Sequence, residues 1–144
     1  MTIKFKKLNP EALLPRYMRE GDAGMDICSV EDKVIKAGEY ALVGTGLAVE
    51  LPLDIEAQVR PRSGLALKYG VTLLNSPGTI DSNYRGEIGV IMVNHGKADF
   101  HVEKGMRVAQ LIISKVCVAE IAESENLTET IRNEKGFGSS GLKG

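Results

Sequence analysis

Five short stretches of the 144-residue chain hold polar side chains whose types and spacing could do chemistry. Pro61-Arg62-Ser63-Gly64-Leu65-Ala66 joins the end of an apolar run to a candidate helix. The first N–H groups of a helix have no partner within it, and the macrodipole favours an anion there. Arg62 and the Ser63 hydroxyl would add phosphate contacts, while Ser63 would equally serve as an ordinary helix cap. Gly105-Met106-Arg107-Val108-Ala109-Gln110 sets two polar residues at the entrance of a strand, where they either position a turn or donate to a phosphate oxygen. Ala23-Gly24-Met25-Asp26-Ile27 puts a carboxylate beside a glycine turn, as an exposed strand residue or as a holder of metal-bound water. The stretch from Asn75 to Glu87, NSPGTIDSNYRGE, gathers Asn75, Asp81, Tyr84, Arg85 and Glu87 around glycines. Those groups exceed what a hairpin turn needs, and glycine lets a flat ring approach the backbone. The C-terminal RNEKGFGSSGLKG has the composition of a linker, costly to order, yet it carries an arginine and a phenylalanine. It is either a frayed terminus or a flap that orders on a ligand.

Other chemistries are excluded by what the sequence lacks. With His95 and His101 as the only histidines, a histidine-rich metal site cannot be assembled. The zinc-deaminase pattern, the GxxxxGK[ST] phosphate loop, the Rossmann glycine fingerprint and the GxSxG elbow are all missing. A net charge of −1 does not suit a general nucleic-acid binder. Any polyanionic ligand must therefore be met by local arginines, backbone N–H groups or a metal. Cys28 and Cys117 match no zinc spacing and are too few for a disulfide framework, so both are expected as reduced, buried thiols. The N-terminus has no apolar signal region and no apolar run approaches ~20 residues, which predicts a cytoplasmic or nuclear location.

The elements that must position these groups are mostly strands. Residues 3–6, 33–52, 54–61, 71–75, 87–94, 98–102 and 108–121 alternate or run apolar, and Gly, Pro, Asn or Asp clusters separate many of them. That punctuation predicts an all-β sandwich or barrel. Helix is sparse: one short helix capped by Ser63 and running to Tyr69, and a turn near Ser124–Leu127. Apolar periodicity stops after Ile131, dividing a body, 1–131, from an arm, 132–144.

Taken in order, the five stretches resemble the five motifs of the trimeric dUTP diphosphatase (dUTPase) family, from Ala23 to Gly141. The resemblance implies a distorted, β-clip-type jelly-roll fold, a homotrimer with three shared sites, and Mg²⁺-assisted hydrolysis of dUTP to dUMP and pyrophosphate. It implies that Asp81 orients and deprotonates the water attacking the α-phosphorus, and that Tyr84 packs under the deoxyribose. Asn75 and the backbone of Gly78 and Ile80 would read the uracil edge. Asp26 would approach Mg²⁺ through water, and Arg62, Ser63, Gly64 and Gln110 would bind phosphates. Arg132, Gly138, Ser139 and Ser140 would hold the terminal phosphate region, with Phe137 stacked over uracil and the arm closing on a neighbour's site. Asn133 and Lys135 depart from the family, which commonly has glycine at both positions, and Ser140 stands where threonine is common. Two rivals share the resemblance. One is a dCTP deaminase of the related fold, including a bifunctional deaminase-diphosphatase; the other is a non-catalytic, dUTPase-like regulatory protein. The GTIDSNYRGE stretch, the aromatic tail and intact Asp81, Tyr84 and Arg132 favour the diphosphatase.

Overall fold

The computed structural model, which describes residues 1–136, converts this alternation into strands and one short helix. In chain order these are β1 (Lys4–Lys7), β2 (Met25–Cys28), β3 (Lys33–Ile35), β4 (Tyr40–Gly44), β5 (Leu47–Glu50), β6 (Ile55–Arg60), α1 (Ser63–Tyr69), β7 (Val71–Leu73), β8 (Gly78–Ile80), β9 (Gly89–Asn94), β10 (Phe100–Val102) and β11 (Arg107–Lys115). Every pairing between them is antiparallel. The largest sheet runs β2-β11-β6-β8, and a second runs β4-β9-β7. Two smaller pairs, β1-β5 and β10-β3, complete the framework.

Strand periodicity decides which side chains become core. On β6, Ile55, Ala57 and Val59 are buried while Glu56 and Gln58 are only half-buried. β2 repeats the rule with Met25 and Ile27 inward and Asp26 and Cys28 on the other face. Ile27, Val43, Leu47, Met92 and Leu111 are among the fully buried side chains of one continuous cluster. Burying each such side chain contributes about 1.5–3 kcal/mol relative to leaving it in water. Among the described residues no helix is long and apolar enough to cross a membrane.

Four sequence expectations change. First, the apolar run 108–121 does not stay paired to its end. β11 stops at Lys115, and Val116 adds one last backbone bond to Asp54. Beyond it Val118, Ile121, Leu127 and Ile131 are exposed, with no cover from the other described residues. Second, Cys117 lies in that uncovered stretch and is exposed, not buried; Cys28 is half-buried. Third, Ser63 is not the cap of α1. Arg62 has the extended backbone of an N-cap and its carbonyl accepts the N–H groups of Leu65 and Ala66, which leaves the Ser63 hydroxyl without a capping role. Fourth, the segment between β7 and β9 is more than a Pro-Gly turn. β7 and β9 do pair as a hairpin, but their connection crosses to the other sheet as β8, alongside β6. The turn near Ser124–Leu127 is a single bend at Glu125, where the Ser124 hydroxyl donates to the Asn126 carbonyl.

One carboxylate ties the loop after β2 to the end of β4. Glu31 Oε1 accepts the Gly44 N–H at 2.7 Å and a hydrogen bond from Lys33 Nζ at 2.9 Å. The Gly44 N–H foremost, then Lys33, holds its carboxyl below the ordinary glutamate range. A lowered folded-state pKa stabilises the fold fully above the unfolded pKa, and the contribution is lost as pH falls through the folded value. Glu31→Gln therefore flattens the acid limb of the stability curve. Denaturant titrations of both proteins should show the variant losing less stability than the wild type between neutral and acidic pH; parallel curves would contradict this.

Candidate active site

A β-bulge builds the first half of the site. Three positions separate Arg107 from Gln110, so a regular strand would point them to opposite faces. In β11, however, Arg107 pairs with Cys28 and Gln110 with Asp26, and the register shifts between Arg107 and Ala109. One extra residue, Val108, is absorbed there. Because Cys28 and Asp26 are two apart, Arg107 and Gln110 come to the same face, beside Asp26. The signal was present in the sequence as the doublet Val108-Ala109, both buried, where alternation allows one apolar residue.

That face opens into a pocket of about 450 Å³ whose lining includes Arg62, Ser63, Gly64, Asp26, Arg107 and Gln110. Asp26 organises it. One oxygen takes Arg62 Nε at 3.2 Å and the other takes Arg107 Nη1 at 2.9 Å. The Asp26 side chain is only 15% exposed, so this pairing is less screened than a surface ion pair. Arg62 Nη1 also donates to the Arg107 carbonyl at 3.0 Å, and Gln110 Nε2 donates to the Pro61 carbonyl at 2.9 Å. The start of α1 is thereby locked to β11. Gly24 stands close against this wall: a Cβ there would meet Gln110 Oε1 at 2.6 Å and Ile112 Cδ1 at 2.7 Å. Chemically the pocket suits an anion: guanidinium groups in fixed geometry, a hydroxyl and an amide, with little apolar surface. Burial foremost, and then the Asp26 charge, pushes the nearby Cys28 thiol up. It stays protonated and is a poor nucleophile.

The second half is the turn that follows β8. β8 buries Gly78 and Ile80 against β6 and delivers Asp81 to the surface. The Asp81 carbonyl accepts the Tyr84 N–H at 3.1 Å, closing the turn and leaving the Asp81 carboxylate exposed. The Tyr84 ring folds back over Gly86, and its hydroxyl donates to the Glu87 carbonyl at 2.9 Å. Glu87 anchors the far end, its Oε1 accepting the Gly46 N–H at 2.7 Å. Asn75 lies over Gly78, with Nδ2 3.3 Å from where a Cβ on that glycine would stand. Asp81, Tyr84, Glu87 and Ile80 line a small cavity of about 180 Å³.

The two halves share no lining residue. The chain thus brings Asp26, Arg62, Ser63, Gly64 and Gln110 together in one place, and Ile80, Asp81 and Tyr84 in another. Arg132 joins neither. It sits in a turn whose Nε donates to the Lys135 carbonyl at 2.9 Å. Asn133 in that turn has φ 42°, a left-handed backbone that asparagine tolerates better than most residues. Phe137, Gly138, Ser139 and Ser140 lie outside the described residues. Sequence reasoning noted Glu87 among the polar groups of its stretch without giving it a role, and passed over Gly86, whose part shows only once the Tyr84 ring is placed.

The family model for dUTPase matches residues 11–141 of the chain. The chain belongs to the dUTPase family. It is 57% identical over 143 residues to the deoxyuridine 5'-triphosphate nucleotidohydrolase of Clostridium acetobutylicum, covering 99% of each chain. Identity to the enzyme of that name from Alkaliphilus metalliredigens is 57% over 141 residues, 98% of each chain. Its fold is similar to the solved Staphylococcus bacteriophage 80alpha dUTPase with dUpNHpp, at TM-score 0.91 and 29% identity over 98% of this chain and 99% of that one. A dUTPase variant from phage phi11 of S. aureus, reported with a structural Mg(II) ion, has the same fold at TM-score 0.83 and 23% identity, over 90% of this chain and all of that one.

Proposed function

We propose that the chain hydrolyses dUTP to dUMP and pyrophosphate through attack of water on the α-phosphorus, as a cytoplasmic homotrimer with shared sites. The observation that carries this reading is the separation of two complementary half-sites. One is an arginine-lined pocket suited to phosphates, and the other is a carboxylate-and-tyrosine turn beside buried glycine backbone suited to a nucleoside. A second copy would unite them. The exposed apolar side chains of Val118, Ile121, Leu127 and Ile131 support such an assembly, because the described residues of a single chain give them nothing to pack against. In it, residues 1–131 form the jelly-roll body and 132–144 the arm that reaches a neighbouring site, with Arg132, Gly138, Ser139 and Ser140 at the terminal phosphate and Phe137 over the base.

Within the site each residue has one task. Asp81 accepts the proton of the attacking water, which demands a carboxylate within hydrogen-bond reach of it. Tyr84 forms the platform beneath the deoxyribose, and a ribose 2′-hydroxyl would collide with it. Asn75 and the backbone of Gly78 and Ile80 match the uracil edge; cytosine reverses that donor and acceptor pattern and would leave buried groups unpaired. Arg62, Ser63, Gly64 and Gln110 hold the phosphates and stabilise the charge that grows on the leaving pyrophosphate.

The residues of the chain suit a Mg²⁺ ion that arrives on the nucleotide. Among the described residues no three His, Cys, Asp or Glu side chains converge, and both oxygens of Asp26 already face arginines. Mg²⁺ characteristically keeps several waters and takes substrate phosphate oxygens as ligands. Asp26 retains lone pairs to accept a hydrogen bond from such a water. When bound, the ion neutralises phosphate charge and polarises phosphoryl oxygens. The deciding experiment is a pyrophosphate-release assay against dUTP, dCTP, dTTP and UTP, with and without Mg²⁺, alongside sedimentation of the protein. Mg²⁺-dependent release from dUTP alone is expected, from a species of three chains. Ammonia release from dCTP, or no turnover of dUTP, would overturn the reading.

A further inference from the structure

A third arginine, Arg19, lines the phosphate pocket, and its placement gives it a role of its own. Arg62 and Arg107 both face Asp26, at 3.2 and 2.9 Å, so two guanidinium charges are already opposed by one carboxylate. That trio leaves a single positive charge for a phosphate chain that brings several negative ones. Among the described residues the Arg19 side chain makes no hydrogen bond or ion pair. The other carboxylate at the pocket, Asp22, commits Oδ2 to backbone, accepting the N–H groups of Met18 at 3.1 Å and Arg19 at 2.8 Å.

The segment that carries Arg19 is fixed at both ends. Arg16 and Asp26 exchange backbone hydrogen bonds at 3.4 and 3.0 Å, which pins the segment to the edge of β2. Four to six residues on, the Asp22 carboxylate and the Asp22 N–H, which donates to the Arg19 carbonyl at 3.3 Å, close a tight turn through Gly21 at φ 85°. Arg19 thus projects from a preorganised turn at the exposed rim of the pocket, across from the start of α1. A cation placed on rigid backbone loses less freedom on binding than one on a loose loop.

We propose that Arg19 is a further substrate-binding residue, which contacts the outer part of the nucleotide's phosphate chain and adds to the chain's preference for a triphosphate over a monophosphate. This rests on the proposed function above. The test is titration calorimetry of the full-length protein with the non-hydrolysable dUpNHpp and with dUMP, for wild type, Arg19→Gln and Arg19→Lys. Loss of one partly exposed charge-assisted contact should weaken dUpNHpp binding by about tenfold in Arg19→Gln. Binding of dUMP should change little, and Arg19→Lys should recover part of the loss. Because Arg19 is exposed, neither substitution touches the core. Equal affinity of wild type and Arg19→Gln for dUpNHpp would overturn the inference while leaving the proposed function intact. An equal loss for dUMP would overturn it too, since the effect would then not follow the phosphate chain. If the wild-type protein bound neither nucleotide, the proposed function itself would fall and the inference with it.

Discussion

Asp81→Asn is expected to lower kcat by roughly 10²–10⁴ while nucleotide binding and folding persist. The reasoning begins with the turn. The turn after β8 is closed by the Asp81 backbone carbonyl, which accepts the Tyr84 N–H, and not by the carboxylate. Asparagine keeps that carbonyl and nearly the same side-chain volume. What it removes is the ability to accept a proton from water, because an amide oxygen is far less basic than a carboxylate. The predicted signature is therefore a split: Tm and the Kd for dUpNHpp close to wild type, with single-turnover hydrolysis of dUTP slowed by the full factor. Near-normal turnover in the purified variant would remove Asp81 from the role of general base. A large drop in Tm would instead mean that the carboxylate holds the turn together.

The all-β class was legible because strand burial follows a period of two. β6 and β2 display it directly, with Ile55, Ala57, Val59 and then Met25 and Ile27 turned inward. Assembly was harder to read. The sequence placed Arg107 and Gln110 in one motif, but strict alternation would have separated them; only the bulge at Val108 brings both to Asp26. The excursion of β8 to the opposite sheet was invisible for a similar reason, since pairing with β6 is a long-range choice and the local Ser76-Pro77-Gly78 stretch reads as a turn. Cys117 was misplaced because hydrophobicity favours burial without saying which segment provides the cover. The run from Val116 to Ile121 is apolar enough to be core, yet among the described residues nothing covers it. Of the site itself, the chemically conspicuous groups were legible, while the positioning roles of Glu87 and Gly86 were not, since they act on another residue's position.

Gly86→Ala makes that indirect role measurable. Gly86 does not require the left-handed backbone, so alanine fits the main chain there. The obstruction is the Tyr84 ring. A Cβ on Gly86 would stand 2.5 Å from Cζ and 2.9 Å from Cε2 of that ring, far inside van der Waals contact. The ring has one escape, which is to swing outward, and doing so breaks the 2.9 Å bond from its hydroxyl to the Glu87 carbonyl. The turn is exposed and the core is untouched, so stability should change little. A displaced platform lets the deoxyribose shift relative to Asp81, and a misplacement near 1 Å costs about 10²-fold in rate. Steady-state kinetics should show kcat/KM for dUTP falling by about that factor, with a smaller loss for UTP, because the displaced ring no longer guards the 2′ position. A double-mutant cycle isolates the cause. In a Tyr84→Ala background, adding Gly86→Ala should have almost no further effect, since there is no ring left to move. If the two losses add in full, Gly86 acts through something other than Tyr84, and the turn must position the substrate by its backbone alone.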